Sequence, residues 1–277
     1  MARLAGIEVS GVSIAGLETC IDLPEWKFCF DLGRAQYFAL ARPLVLFTHP
    51  HMDHLGAIAW HCSTRAMRGM REPTYVVGRE HTQSLRKLFE AWRELDGSLL
   101  PHRLVELSPG EEFDLGFQRS ARPFRSYHRV PCQGYVISER RQKLKPEYLE
   151  LPGPEIARRR AAGETQLFEQ QETALLGFTG DTLIDVLERE DALRRVKVLV
   201  LECSFVDERV SVAETRAMGH VHLDEIVERA ELFQNEAVLL THFSERYTSA
   251  EVIAALDKKL PPALRAKVTP LLAGRRD

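Results

Sequence analysis

The run Thr48-His49-Pro50-His51-Met52-Asp53-His54 puts three imidazoles and a carboxylate within six residues, directly behind the apolar stretch 44–47. A polar cluster that begins where a buried strand ends is the usual position of an active-site loop on an α/β scaffold. One histidine there would pass as an ordinary loop residue. Four potential donors so close together are not explained by packing, because clustered imidazoles and carboxylates need hydrogen bonds or a cation to offset burial. Alternate side chains of an extended loop converge, so His49 and His51 suit one metal site. Asp53 and His54 turn further round and suit a neighbouring one.

Further donors stand alone after later apolar runs: His128, Asp181 in Thr179-Gly180-Asp181-Thr182, and His242 in Thr241-His242-Phe243-Ser244. Asp181 has the two oxygens needed to bridge a pair of ions. Nitrogen and oxygen donors without thiolates favour zinc, with manganese or iron possible. Cysteines fall at 20, 29, 62, 132 and 203, an odd number with wide spacing and no C-x-x-C pair. That excludes a structural four-cysteine zinc site and argues against a disulfide framework, and reduced thiols in a cytoplasmic enzyme are the simpler reading. Two ions roughly 3.5–4 Å apart can activate a water and steady the charge developing on a phosphate or carbonyl oxygen.

The rest of the chain fits a layered α/β fold with one functional rim. Strands are expected at 7–14, 27–30, 44–47, 74–77, 134–138, 174–178, 196–201 and 237–240, and helices at 56–70, 81–95, 223–233 and 250–256. In the helix at 81–95, Leu85, Leu88, Phe89, Trp92 and Leu95 form one stripe. The segment 140–163 differs in composition: it is rich in charge and proline, contains Leu151-Pro152-Gly153-Pro154, and carries Arg158-Arg159-Arg160. It reads as a projecting insertion. Thirty-seven basic and forty acidic side chains give a net charge of -3, which excludes a uniformly basic surface but not a local basic patch. No window has the length and apolarity of a membrane span, and residues 1–13 lack the pattern of a secretory signal.

The H-x-H-x-D-H run, followed by single His, Asp and His residues at these separations, resembles the metallo-β-lactamase superfamily. Phe30-Asp31-Leu32-Gly33, Gly134-Tyr135, Phe178-Thr179-Gly180-Asp181-Thr182 and Thr241-His242-Phe243-Ser244-Glu245-Arg246-Tyr247 narrow the resemblance to ribonuclease Z, the tRNA 3′-processing endonucleases, in their short plant-type form. The resemblance covers nearly the whole chain. It implies an αββα four-layer sandwich forming one metallo-hydrolase domain over residues 1–277, with a short arm at about 140–163. It also implies that His49, His51 and His128 hold a first zinc, that Asp53, His54 and His242 hold a second, and that Asp181 bridges them. A homodimer and a precursor-tRNA substrate are further implications of the same resemblance.

The reaction so implied is phosphodiester hydrolysis that removes the 3′ trailer, with Asp53 accepting a hydrogen bond from the attacking water. Ser244, Arg246 and Tyr247 either shape the 3′-end pocket or support His242 from behind. Arg158, Arg159 and Arg160 are candidate RNA contacts on the arm. His220, in Gly219-His220-Val221-His222-Leu223, is the candidate proton donor. Its 22-residue interval to His242 matches the family interval, whereas His222 is two residues out of step. Two other readings stay open. One is a small-molecule phosphodiesterase, lactonase or thioesterase on the same fold. The other is a non-catalytic nucleic-acid-binding protein, which would be expected to lack some of the seven donors.

Overall fold

Along Ile7–Ala15 the first residues alternate between buried (Ile7, Val9) and half-buried (Glu8, Ser10), the period-two signature of a strand with one face inward. The same logic organises most of the protein. In a computed structural model that describes residues 2–275, the first seven strands are β1 (Ala2–Leu4), β2 (Ile7–Ala15), β3 (Glu18–Leu23), β4 (Phe28–Phe30), β5 (Leu44–Leu46), β6 (Thr74–Gly78) and β7 (Arg103–Leu107). They form one sheet in sequence order, antiparallel up to β4 and parallel from β4 to β7. A second sheet takes β8 (Phe113–Gly116), β9 (Arg119–Ser126), β10 (Cys132–Leu144), β11 (Phe168–Phe178), β12 (Val198–Glu202) and β13 (Ala237–Thr241). The short β14 (Phe243–Ser244) crosses back to pair with β2, and β15 (Val268–Pro270) closes the second sheet beside β13.

Alternation along each strand decides which layer a side chain joins. Phe28, Phe30, Leu46 and Val76 face inward and pack with Tyr135, Phe178, Val198, Val200 and Leu239 of the opposite sheet. The rings of Phe30 and Phe178 lie 4.7 Å apart, centroid to centroid. Each such buried ring contributes roughly 1.5–3 kcal/mol. Their neighbours Cys29, Val45, Phe47 and Tyr75 face outward, under α1 (Met52–Leu55), α2 (Ile58–Met67) and α3 (Arg79–Asp96). On the far side α4 (Gly153–Ala161) rides on the β10–β11 connection. Leu199, Leu201, Val238 and Leu240 are covered by the layer that holds α5 (Val186–Arg189), α6 (Val212–Met218), α7 (Leu223–Glu228), α8 (Ser249–Lys259) and α9 (Pro262–Arg265). The result is an αββα sandwich, as the metallo-β-lactamase resemblance implies. No helix among the described residues is long and apolar enough to cross a membrane.

Several elements differ from the sequence expectation, and β3, β7, β8, β9, α5 and α6 were not expected at all. The helix expected at 56–70 is α2 preceded by the separate turn α1, and the one expected at 223–233 stops at Glu228 and continues as a 3-10 turn, Ala230–Leu232. Strands expected to end at Ser138 and begin at Ala174 run on as a two-stranded ribbon, Glu139–Leu144 paired with Phe168–Thr173. The ribbon is polar on both faces, so hydropathy did not mark it, whereas its backbone pairing needs no apolar side chain. Residues 140–163 are therefore strand first and helix α4 second. All five cysteines are free and buried.

Strand direction collects the polar loops. Strands β4 and β5 are parallel, and so are β11, β12 and β13. Strand β9 is antiparallel to β10, as β11 is, so β9 and β11 run the same way. The segments after β4, β5, β9, β11, β12 and β13 thus leave one rim of the sandwich, where sites form on such folds.

Candidate metal centre

Most imidazoles on this rim have one nitrogen fixed by a support that dictates which nitrogen is bare. Thr48 Oγ donates to the buried carboxylate of Asp31, at 3.1 and 2.9 Å. Its single proton is thereby committed, so it accepts from His49 Nδ1–H at 3.0 Å, which leaves His49 Nε2 without a proton. His54 Nδ1–H donates to Asp31 Oδ2 at 2.8 Å. His128 Nδ1–H donates to the Gly219 carbonyl at 2.8 Å. Ser204 Oγ donates to Glu202 Oε2 at 2.8 Å and so accepts from His242 Nδ1–H at 3.1 Å. In the neutral form of each of these four rings Nε2 is the bare acceptor, the tautomer that a cation requires.

Backbone strain is part of this construction. Asp31 and His242 both sit in the left-handed region, at φ 56° and 61°. The His242 N–H is caught by Ser13 Oγ at 3.1 Å. Gly180, before Asp181, has φ 58°, and a Cβ there would lie 2.8 Å from Thr48 Cβ. Only glycine lets the two loops close on each other.

The bare nitrogens face one another. His49 Nε2 and His51 Nδ1 are 3.0 Å apart, His128 Nε2 and His51 Nδ1 3.2 Å, and His54 Nε2 and His242 Nε2 3.3 Å. Ligand atoms at the corners of a tetrahedron around zinc, with bonds of about 2.0–2.1 Å, lie roughly 3.3–3.4 Å from each other. Donor chemistry and spacing therefore fit a metal ion. His49, His51, His128 and Asp181 form one group whose donor atoms lie within 4.8 Å of one another, and Asp53, His54 and His242 form a second. Asp181 reaches both: Oδ2 is 3.6 Å from His49 and 3.9 Å from His128, while Oδ1 is 3.2 Å from His54 and 3.5 Å from His242.

Charge follows burial and neighbours. Burial, reinforced by adjacent imidazoles, lowers His49, His51 and His128 from their ordinary values and keeps them neutral. Burial also opposes protonation of His54, but the carboxylates of Asp181 and Asp31 overcome it and raise His54. Burial would raise Asp53 and Asp181, yet surrounding histidines hold both carboxyls below the usual range.

His220 stands at the edge of this cluster, its ring 5.0 Å from that of His128 and 5.3 Å from that of His242. Its Nδ1–H donates to Glu202 Oε1 at 3.0 Å. Glu202 also accepts from the backbone N–H groups of Thr182 and Val221, at 2.7 and 3.2 Å. Burial lowers His220, but Glu202 and then Asp181 more than reverse this and bring it to about 9. Asp181, His220 and His242 also lie close enough to make a third possible metal-holding trio, although His220 Nδ1 is taken by Glu202. His222 points elsewhere: it is buried, caps α7 through Asp224 N–H, and bonds to the Asp207 carbonyl at 3.0 Å. Glu202 is one of the supporting residues the sequence did not reveal, along with Asp31 and Ser204. Its signal was its place at the end of an apolar strand, like the other rim residues.

Comparisons with known proteins agree with this geometry. No family model matches the chain. It is 40% identical to tRNase Z TRZ1 of Arabidopsis thaliana over 275 residues, 98% of this chain and 97% of that protein. It is 35% identical to the chloroplastic tRNase Z TRZ2 of the same plant, over 99% of this chain and 77% of that one. The chain belongs to the tRNase Z family. The short form of human tRNase Z superposes with a TM-score of 0.62 at 17% identity, covering 95% of each chain. The metallo-β-lactamase fold protein YhfI of Bacillus subtilis gives 0.65 at 13%, covering 96% of this chain and 97% of that one. These last two speak to the fold alone.

Within this tRNase Z family chain the remaining candidates separate by exposure. Ser244 and Tyr247 are buried, at 8% and 2%. Tyr247 OH donates to Asp207 at 3.2 Å, and Ser244 N–H donates to the Ser204 carbonyl at 3.0 Å. These bonds tie both residues to the segment 204–207. Arg246 is exposed, with its guanidinium 6.0 Å from the Phe205 ring. Arg158, Arg159 and Arg160 sit together on α4, apart from the donor groups. Arg158 and Arg159 pair with Glu155, at 2.9 and 2.8 Å, and Arg160 rests on Phe168 at 5.5 Å.

Proposed function

We propose that this chain is a zinc-dependent endoribonuclease that removes the 3′ trailer from precursor tRNA. The observation that carries the reading, beside membership of the tRNase Z family, is Asp181 lying between two donor groups with one oxygen toward each. His49, His51 and His128 would hold one ion, Asp53, His54 and His242 the other, and Asp181 both. When bound, such a pair supplies an acidified water nucleophile and neutralises charge on the phosphate oxygens.

The chain's own residues do the rest. Asp53 Oδ2 is held by the Gly16 N–H at 2.9 Å, which fixes the carboxylate to accept a hydrogen bond from the attacking water. His220 is anchored through Nδ1 by Glu202, so Nε2 is the atom that delivers a proton to the departing ribose 3′-oxygen. An alkoxide leaves poorly, and a placed imidazolium contributes roughly 10²–10⁴-fold. The arm carrying Arg158, Arg159 and Arg160 serves affinity for RNA, within a single catalytic domain.

We also infer a homodimer, supported by the family and by Leu88, Trp92 and Leu95 exposed along one face of α3. Five free, buried thiols fit a reducing compartment such as the cytoplasm. The deciding experiment incubates zinc-loaded protein with 3′-extended precursor tRNA beside bis(p-nitrophenyl) phosphate. A single cut after the discriminator base supports the reading. Turnover of the small diester with the precursor left intact overturns it in favour of a small-molecule hydrolase.

A further inference from the structure

A cavity of about 680 Å³ opens beside the first donor group, where Thr48, His128 and Gly219 form part of its wall. Its outer wall brings together Arg125, Tyr127, Arg129 and Arg216, against one carboxylate, Glu80. Arg216 is occupied, with Glu225 at 2.6 Å and Asp185 at 2.8 Å. Arg125 and Arg129 are exposed and have no acidic partner among the described residues, and the same holds for Arg189 nearby. The guanidinium groups of Arg125 and Arg189 lie 5.5 and 5.8 Å from the centre of the half-buried Tyr127 ring. Tyr127 is held from behind: its N–H donates to Thr182 Oγ at 3.0 Å and its carbonyl accepts from Leu183 N–H at 2.9 Å. Those bonds tie it to the loop that carries Asp181.

Cations left unpaired in a cavity wall keep their electrostatic capacity for an anionic ligand, and a string of them suits a string of phosphates. An aromatic ring with guanidinium groups against it is a stacking surface for bases. A base can use such a surface only when it is unstacked from its own helix, which selects single strands over duplex. The precursor has a single-stranded segment adjoining the cut, the trailer. We propose that Arg125, Tyr127, Arg129 and Arg189 form the track that holds the first nucleotides of the trailer, with Arg125 and Arg129 on phosphates and Tyr127 with Arg189 under a base. The proposal rests on the nuclease reading above and adds to it the side of the scissile bond that this cavity serves.

The test measures binding first, so that it does not depend on cleavage. A fluorescent, 5′-phosphorylated oligoribonucleotide of four residues is titrated by anisotropy into metal-loaded protein. The same is done with the Arg125→Ala/Arg129→Ala pair, with Tyr127→Leu, and with Arg103→Ala at the opposite end of β7 as the charge control. Binding should weaken about tenfold or more in the first two and less than twofold in the control. Precursors with trailers of one, two, four and eight nucleotides are then compared. Wild-type KM should fall as the trailer lengthens to the first few nucleotides, and the double variant should flatten that dependence.

Equal oligonucleotide binding by wild type and the double variant overturns the proposal. A KM loss that is the same for every trailer length also overturns it and assigns the cavity to the tRNA body. Absence of precursor cleavage by wild type, with the oligonucleotide still bound through these residues, would instead defeat the nuclease reading and leave the track standing. Should Tyr127→Leu fail to fold, the arginine pair carries the test alone, since both side chains are exposed.

Discussion

Asp181 offers one carboxylate oxygen to each donor group, so removing it takes a neighbour from both at once. Asp181→Ala should lose most activity and at least one of two bound metals. Elemental analysis finding two full equivalents in the purified variant would rule out a bridging role. His220 is open to a finer test, because a proton donor matters in proportion to how poor the leaving group is. His220→Ala should keep both metals yet slow precursor cleavage by orders of magnitude, with a much smaller loss on a p-nitrophenyl diester. Glu202→Gln should show the same leaving-group dependence in weaker form, since it keeps the shape but loses the charge beside Nδ1. If His222→Ala reproduces the pattern and His220→Ala does not, the proton donor is His222. His49, His51, Asp53 and His54 stood out in the sequence because side-chain chemistry announces itself at close spacing, whereas His128, Asp181 and His242 stand alone and were picked out by their place after apolar runs and by the family resemblance. Asp31, Ser204 and Glu202 were not, because a lone acid or hydroxyl gains its meaning only from the histidine it faces across the fold.

At the scale of elements, the central strands were legible because burial on both faces demands an unbroken apolar run: Val198–Glu202 and Ala237–Thr241 are buried throughout. The outward half of the β10–β11 ribbon was not, because pairing there rests on backbone hydrogen bonds between polar residues. That ribbon lifts α4 and its arginines away from the main sheets. Phosphate contacts made by such a device act on affinity and weaken with salt. Replacing residues 145–167 with a short turn should therefore weaken precursor cleavage through KM, and the gap from wild type should narrow as salt rises. It should affect the small diester far less. Equal losses on both substrates, at every salt concentration, would show that the segment carrying α4 supports the fold instead.

The whole molecule is two sheets that meet face to face, and the donor set is divided between them. His49, His51, Asp53 and His54 follow β5 of the first sheet; His128, Asp181 and His242 follow β9, β11 and β13 of the second. Some hydrogen bonds already span the seam near the rim, among them Tyr135 OH to the Phe47 carbonyl at 2.7 Å and Gln133 N–H to the Thr48 carbonyl at 3.1 Å. Ions held by donors from both sides would tie the same seam, and would do so only in the folded chain. A ligand that binds only the native state at a hundredfold over its dissociation constant adds about 2.7 kcal/mol. For a domain of this size, each kcal/mol moves the melting temperature by about 2–4 °C. Chelation followed by buffer exchange should thus lower Tm by about 5–10 °C, and restoring zinc should recover it. Asp181→Ala should already sit near the metal-free value and respond little to added zinc. A metal-free protein, verified by elemental analysis, that melts within a degree of the loaded one would mean that the hydrogen bonds at the rim hold the sheets together without help, and that the centre serves chemistry alone.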